Sequence, residues 1–196
     1  MNALQRIGCA ALLAAGLASP AHAYVVTLEQ VGSDVVASGS GPIDLTGLSY
    51  AFASYSGSSY VWAAGAQIVT GSNNNTDIYS GISGPTNFGG GPQVNADSGS
   101  GDVAGIAGDY ALIALPSGYT SGAPLSDSAT YLNQTFISLG VTPGTYEWTW
   151  GTGVNQNFTL IIGTTPLPAT LPLFAGGLGA IGVVGWRRKR KAAPAA

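Results

Sequence analysis

The chain has 196 residues, and its formal net charge of −3 hides an uneven distribution of charge. All six Lys and Arg residues lie near the two ends, whereas all nine Asp and Glu residues lie between Tyr24 and Trp186. Phosphate binding needs cations, which this central segment does not have, so nucleic acid is excluded as a partner. The length suits one domain with an ordinary core.

Residues 1–23 have the pattern of a secretory signal peptide. A short basic start precedes an apolar run, a proline ends it, and Ala21 and Ala23 form a small-residue cleavage site. We expect signal peptidase to cleave after Ala23, so that the mature chain begins at Tyr24. Cys9 leaves with the signal, and the mature chain then has no cysteine for a disulfide or a thiol nucleophile.

The segment 24–163 is predicted to be an exported all-β domain, a single antiparallel sandwich or jelly-roll-like fold. Gly, Ser, Thr, Val and Tyr favour short strands and turns over helices. The stretch 80–109 is rich in Gly, Ser and Asn and is predicted to be a long loop or irregular edge. Two hairpin pairs are expected at the start, 24–31 with 35–40 and 48–54 with 60–69. The remaining predicted strands are 110–115, 129–138, 145–150 and 157–162.

The strand 145–150 has the clearest alternation in the chain. Tyr146, Trp148 and Trp150 alternate with polar residues, so one face of the strand is aromatic. Two interpretations follow from this pattern. The aromatic face packs into the core, as in any sandwich, or it forms a flat glycan platform for sugar rings.

The residue types of the central segment exclude most catalytic chemistry. Ser-His-Asp, Cys-His and Ser-Lys arrangements fail without His, Cys or Lys, and zinc sites fail without His or Cys. A carboxylate pair, as in glycoside hydrolysis, is the remaining option. Most of the aspartates lie in Gly/Ser turns, where Asp commonly bonds its own backbone. We therefore predict a non-enzymatic protein with no catalytic residues and no cofactor.

Calcium is the metal that the composition leaves open. The stretches 73–77 and 97–102 offer oxygen ligands on Gly- and Asn-rich loops, but neither has the spacing of an EF-hand or a Gly-Asp repeat. Turn chemistry is the simpler interpretation, and no metal ligands are predicted.

The C-terminal segment 164–191 combines a Pro-rich box, an apolar run and a basic cluster. Residues 167–186 carry no charge and are long enough to cross about 30 Å of hydrocarbon as a helix. The basic cluster that follows is predicted to hold this end in the cytoplasm, and 192–196 form a short tail. The cluster consists of Arg187, Arg188, Lys189, Arg190 and Lys191.

These three features in this order resemble the PEP-CTERM sorting signal of Gram-negative bacteria, in its Val-Pro-Leu-Pro-Ala variant. The box here is Pro166, Leu167, Pro168 and Ala169, with Thr165 where the variant has valine. The resemblance implies that an exosortase, a membrane cysteine peptidase or transpeptidase, acts at this box. The physical logic parallels GPI attachment, in which a hydrophobic tail is recognised and then removed.

A second block, residues 139–151, looks like one shared by uncharacterised exported proteins that bear this tail. Together the resemblances imply a precursor anchored in the inner membrane and a final place at the cell surface or in the extracellular matrix. They also imply an association with secreted exopolysaccharide. The alternative hypothesis is a lectin-like carbohydrate-binding module that uses the aromatic strand.

Overall fold

The structure, a computed structural model, describes residues 24–163, which form an all-β domain of two sheets packed as a sandwich. The expected fold class is confirmed at this level. Within 24–163 the only helical segments are two 3₁₀ turns, Ala63–Gly65 and Gly108–Tyr110, and none of this region forms a helix able to span a membrane. The strands are β1 (Tyr24–Val31), β2 (Asp34–Pro42), β3 (Ser49–Ser56), β4 (Tyr60–Trp62), β5 (Gln67–Thr70), β6 (Asn74–Ser80), β7 (Gln93–Asn95), β8 (Ser98–Gly101), β9 (Ala104–Ala107), β10 (Leu112–Pro116), β11 (Pro124–Tyr131), β12 (Gly144–Thr149) and β13 (Asn157–Ile162).

The two sheets contain six and seven strands. The six-stranded sheet has the order β12-β13-β1-β2-β11-β8, and the seven-stranded sheet has the order β3-β6-β10-β9-β5-β4-β7. Strands β1 and β13 run parallel, with Tyr24 opposite Phe158, which corrects the expectation of a purely antiparallel fold. A parallel pair needs a long connection, and here the rest of the domain provides it.

The first and last predicted hairpins are confirmed. Strands β1 and β2 pair from Val25 opposite Ser40 to Val31 opposite Asp34, around a turn in which Gly32 has a φ of 64°. Strands β12 and β13 pair antiparallel over six residues on each strand. Both hairpins are local in sequence, and burial alternates along most of their length, so the pattern alone was sufficient to find them.

The prediction of one continuous strand over 60–69 is wrong, because this segment forms a hairpin. Ala63–Gly65 forms a 3₁₀ turn between β4 and β5, and Ala66 closes it in the left-handed conformation, with φ 51° and ψ 42°. Strands β9 and β10 are joined in the same way by Gly108–Tyr110 and Ala111, with φ 55° and ψ 42°. The two hairpins lie side by side through β5 and β9. A left-handed alanine has no sequence signature, so the turn was missed.

Three other expectations are corrected by long-range pairing. The predicted partner of 48–54 was 60–69, but β3 pairs with β6. The stretch 80–109, predicted to be a long loop or irregular edge, contains three short strands: β7 pairs with β4, β8 with β11, and β9 with β5 and β10. Strands β7 and β8 lie at the edges of their sheets, so the edge alternative is confirmed for them and the loop alternative is wrong. The predicted strand 129–138 begins earlier, at Pro124, and ends at Tyr131. Strands of three or four residues depend on distant partners and carry little local pattern.

The core lies between the sheets, and aromatic residues of the six-stranded sheet occupy its centre. Tyr24, Trp148 and Phe158 are all fully buried. The ring of Phe158 lies 5.1 Å from that of Tyr24 and 5.9 Å from that of Trp148, measured between centroids. The three residues come from β1, β12 and β13, so their packing joins the first strand of the domain to its last hairpin.

A polar pair is buried beside these rings. The hydroxyl of Tyr24 donates a hydrogen bond to Oδ2 of Asp127, and Thr70 Oγ1 lies 3.5 Å from the same hydroxyl. Position 39 is glycine because a Cβ there would collide with both Tyr24 and Asp127. Burial raises the pKa of the Asp127 carboxyl, and the hydrogen bonds from Thr70 and Tyr24 oppose this only in part.

Replacing Ala111 by glycine should stabilise the domain by about 0.5–1 kcal/mol, because glycine adopts the left-handed conformation without the penalty that a Cβ brings. Ala111 is exposed, so little packing is lost. Thermal or denaturant unfolding measures the change. Ala53→Gly, at an exposed strand position without a positive φ, is the control and should destabilise the domain instead. Destabilisation by both substitutions would contradict the prediction.

Asp127→Asn should become relatively more stable than the unsubstituted protein as pH rises from about 4 to 8. Because the folded-state pKa of Asp127 lies above its unfolded value, its contribution to stability is fully present below the unfolded pKa. That contribution is lost as pH rises through the folded pKa. Asparagine keeps an acceptor for Tyr24 and does not ionise. Free energies of unfolding measured across this range test the prediction.

Asp44→Asn provides a control of opposite sign. The backbone N–H of Thr46 is the largest cause that lowers the pKa of Asp44, so this carboxylate stabilises the fold at higher pH and loses that effect as pH falls through its folded pKa. The relative stability of Asp44→Asn should therefore fall with rising pH. Parallel pH profiles for the two variants would show that burial of Asp127 has no energetic effect.

Candidate functional site

The aromatic strand predicted as a candidate glycan platform lies in the core. Trp148 is fully buried and Trp150 is 7% exposed. Tyr146 is half-buried and packs its ring 5.8 Å from that of Phe88. The aromatic face of β12 therefore presents no open surface to a sugar ring, and the platform interpretation of these three residues is corrected. The exposed positions of the strand are its polar ones, such as Glu147 and Thr149.

Trp148 sits in a slot built by two glycines and fixes a turn of the other sheet. Its indole Nε1 donates to the carbonyl of Pro85 at 2.8 Å. A Cβ on Gly84 would lie 2.6 Å from Trp148 Cδ1, and one on Gly108 would lie 2.6 Å from Nε1. Gly108 begins the 3₁₀ turn Gly108–Tyr110, so the buried indole supports this turn from the inside of the domain.

The candidate calcium loops use their carboxylates in hydrogen bonds to the backbone. Asp97 Oδ2 accepts from the N–H of Leu132 at 2.8 Å, and Asp102 Oδ2 accepts from the N–H of Ser126 at 3.0 Å. These bonds attach the residues that flank β8 to its neighbour β11, one near the start of that strand at Ser126 and one just after its end at Leu132. Within 24–163 no three His, Cys, Asp or Glu side chains cluster as a metal site would require.

The same use of carboxylates recurs at other loops of the domain. Three aspartates each accept a hydrogen bond from a backbone N–H at 2.9 Å, in most cases from a residue that is distant in the sequence. The donor and acceptor pairs are Asn133 with Asp34, Thr46 with Asp44, and Gly118 with Asp77. A charge-assisted bond of this type is stronger than a neutral one and holds a loop in place. These carboxylates are therefore structural.

The outer face of the seven-stranded sheet carries a groove that sequence reasoning did not predict. One row of cross-strand neighbours follows the strand order from β3 to β4, and side chains in such a row share one face. This row has aromatic side chains at both ends and small residues in the middle. The row is Phe52, Ile78, Ala114, Gly105, Val69 and Tyr60.

This arrangement makes a shallow depression with a volume of about 240 Å³. Phe52 and Tyr110, which line it, are 50% and 65% exposed. A Cβ on Gly105 would lie 2.6 Å from the backbone oxygen of Ile68 and from Val69 Cγ2, so the floor must stay flat at this point. A second depression of about 220 Å³, lined in part by 54–58, shares several lining residues with the first.

A fixed polar network runs along one side of the groove. The hydroxyl of Tyr60 donates to Gln67 Oε1 at 2.9 Å, and Gln67 Nε2 donates to Asp109 Oδ1 at 2.8 Å. Gln67 is buried and Asp109 is exposed. Burial, with a smaller effect from the charge of Asp109, raises the pKa of the Tyr60 hydroxyl, which therefore stays protonated.

The groove was missed because its two ends come from strands that sequence reasoning paired with each other. Phe52 lies in β3 and Tyr60 in β4, and four other strands separate them in the sheet. Asp109 and Tyr110 lie at the junction of a predicted loop and a predicted strand. The one signal in the sequence is alternation that exposes aromatic residues near Gly-rich segments, which is too common to identify a site.

The predicted targeting residues lie outside the described residues 24–163. They include the cleavage site at Ala21 and Ala23, the span 167–186 and the basic cluster 187–191. The sorting box from Pro166 to Ala169 belongs to the same set. Comparison with known proteins finds no matching family model, no matching curated protein and no matching solved structure.

Trp148→Ala should destabilise the domain by about 3–5 kcal/mol, because it empties a fully buried slot and leaves the Pro85 carbonyl without its donor. Thr149→Ala, at the exposed neighbouring position, is the matched control and should change stability by less than about 1 kcal/mol. Denaturant unfolding distinguishes the two variants. Equal stability of both would mean that Trp148 is not a core residue.

Proposed function

We propose that the chain is a non-enzymatic exported protein of the cell surface or extracellular matrix of a Gram-negative bacterium. It is sorted by an exosortase-type system and associates with secreted polysaccharide. The observation that carries the proposal is the ordered tail, in which the Pro-rich box is followed by the span 167–186 and by five basic residues. Each part has a physical role in sorting, as recognition site, membrane anchor and cytoplasmic stop.

The chemistry of the domain supports a non-enzymatic role. Residues 24–163 contain no Lys, Arg, His or Cys. Most of the carboxylates accept hydrogen bonds from backbone N–H groups or side chains, as described above for Asp97 and Asp102. General acid–base catalysis needs a titratable group placed against a substrate in a cleft. Carboxylates that hold loops together do not serve that purpose.

The start of the fold is compatible with the proposed signal cleavage. Tyr24, the residue that cleavage after Ala23 would leave at the N-terminus, lies in strand β1. Its ring is fully buried, and its hydroxyl bonds Asp127. Cleavage one residue further along would remove this ring from the core, so the position of the cut matters for stability.

Mass spectrometry of both ends of the protein from its host tests the proposal. We expect the mature surface form to begin at Tyr24 and to end near the box from Pro166 to Ala169. Replacing Pro166 and Pro168 by alanine should leave a membrane-bound form with the intact tail, because the span remains apolar enough to insert. Serine at all five positions from 187 to 191 should instead release unprocessed protein into the periplasm, since the cytoplasmic stop is lost.

Pro194→Ala is the matched control for the proline substitutions, because it lies beyond the basic cluster. It should be processed like the unsubstituted chain. An intact 171–191 segment on most of the surface protein, in a host that carries an exosortase, would reduce the tail to a plain anchor. A chain that still begins at Met1 would refute the signal peptide.

A further inference from the structure

We propose that the groove on the outer face of the seven-stranded sheet binds a chain of neutral polysaccharide. This inference rests on the proposed function and assigns its ligand class and site. The groove is separate from the aromatic face of β12, which is buried. It is defined by Phe52 at one end of the cross-strand row, Tyr60 at the other, and Tyr110 beside it.

The shape of the groove fits an extended polymer. The row from Phe52 to Tyr60 crosses five strand spacings of about 4.8 Å, which gives roughly 24 Å along the sheet. The small residues Ala114 and Gly105 lie midway along the row, so a ligand can approach the sheet closely there. Binding sites commonly combine aromatic walls of this kind with a few fixed polar groups.

The polar groups of the groove are preorganised for hydroxyl groups. Gln67 holds the hydroxyl of Tyr60 and the carboxylate of Asp109 in fixed positions through two hydrogen bonds. The bond uses Asp109 Oδ1, and the side chain is exposed next to Tyr110, so this carboxylate is available to accept a hydrogen bond from a ligand hydroxyl. A sugar offers both an apolar ring face for the aromatic residues and hydroxyl donors for the carboxylate.

The charge of the domain favours neutral polymers over anionic ones as the ligand. Residues 24–163 carry nine acidic side chains and no basic ones. A surface of this charge repels polyanions, and Asp109 at the rim adds a local negative charge. The domain therefore favours an uncharged glycan over alginate-like or phosphate-bearing chains.

The test uses the full-length chain in phosphatidylcholine nanodiscs, with empty nanodiscs as blank. Retention is measured on cellulose, amylose and a β-1,3-glucan as neutral polymers, and on alginate as the anionic one. We expect retention on at least one neutral polymer and none on alginate. The double substitution Phe52→Ala with Tyr110→Ala should weaken retention about tenfold or more, as loss of aromatic contacts at a binding site does.

Tyr50→Ala is the matched control, because Tyr50 lies on the same strand as Phe52 and is 58% exposed. It pairs with Tyr79 and belongs to the opposite face of the sheet from Phe52. Its retention should stay within about twofold of the unsubstituted chain, because a change below about 0.5 kcal/mol is usual for a surface substitution. Circular dichroism melting of all variants verifies that each is folded.

Three results would overturn the inference. They are retention on no neutral polymer, preferential retention on alginate, and equal retention of the double variant and the unsubstituted chain. Strand β3 is an exposed edge of its sheet, so a second copy of the chain is the competing occupant. Sedimentation that shows loss of a dimer in the double variant, with glycan retention unchanged, would identify that occupant instead.

The test of the groove can fail without the proposed function failing, and the two failures can be distinguished. Processing of the tail and recovery in the extracellular matrix depend on the residues after 163, not on the groove. A double variant that is sorted normally but fails to bind glycan supports both proposals. Normal sorting with retention that does not depend on the groove leaves the proposed function standing and removes only the site.

Discussion

The buried contact of Tyr24 with Asp127 is the constraint around which the core is arranged, and Thr70 of the other sheet lies 3.5 Å from the same tyrosine hydroxyl. It brings together β1, the bare backbone of Gly39 on β2, and β11, and it places a carboxylate inside the domain. A buried carboxylate is costly unless it is hydrogen-bonded. The tyrosine supplies that bond and at the same time packs its ring on Phe158 of β13. The first strand of the domain is thereby held against its last one.

The absence of cations from 24–163 shapes how this domain holds its loops. Carboxylates here have no lysine, arginine or histidine to pair with, so they are satisfied by backbone N–H groups and by hydroxyl and amide side chains. Most of these bonds join residues that are far apart in the sequence, so each one fixes a loop relative to a distant part of the fold. The same composition leaves the surface of residues 24–163 with acidic side chains and no basic ones.

The core and the groove are connected through one turn. Gly108 packs against the indole of Trp148 from the inside. Of the next two residues, Tyr110 lines the groove, and Asp109 accepts a hydrogen bond from Gln67, which also lines it. The left-handed Ala111 then returns the chain into β10. Rigid support of this kind holds binding groups in place and reduces the entropy lost when a ligand binds. Trp148 of the aromatic strand thus supports, from the core side, the turn that carries Tyr110 to the groove.

Local pattern in the sequence was enough for the fold class, for both terminal hairpins and for the exclusion of His-, Cys- and Lys-dependent chemistry. These follow from residue type and from alternation within a few positions. The order of strands in each sheet was decided only by the tertiary structure, because β7, β8 and β9 are too short to be stable without distant partners. The groove depends on that order. Phe52 and Tyr60 lie eight residues apart in the sequence, but in the sheet four other strands lie between them and supply the middle of the row. Burial of Trp148 was decided in the same way, since an alternating strand shows that one face is aromatic but not which face meets the other sheet.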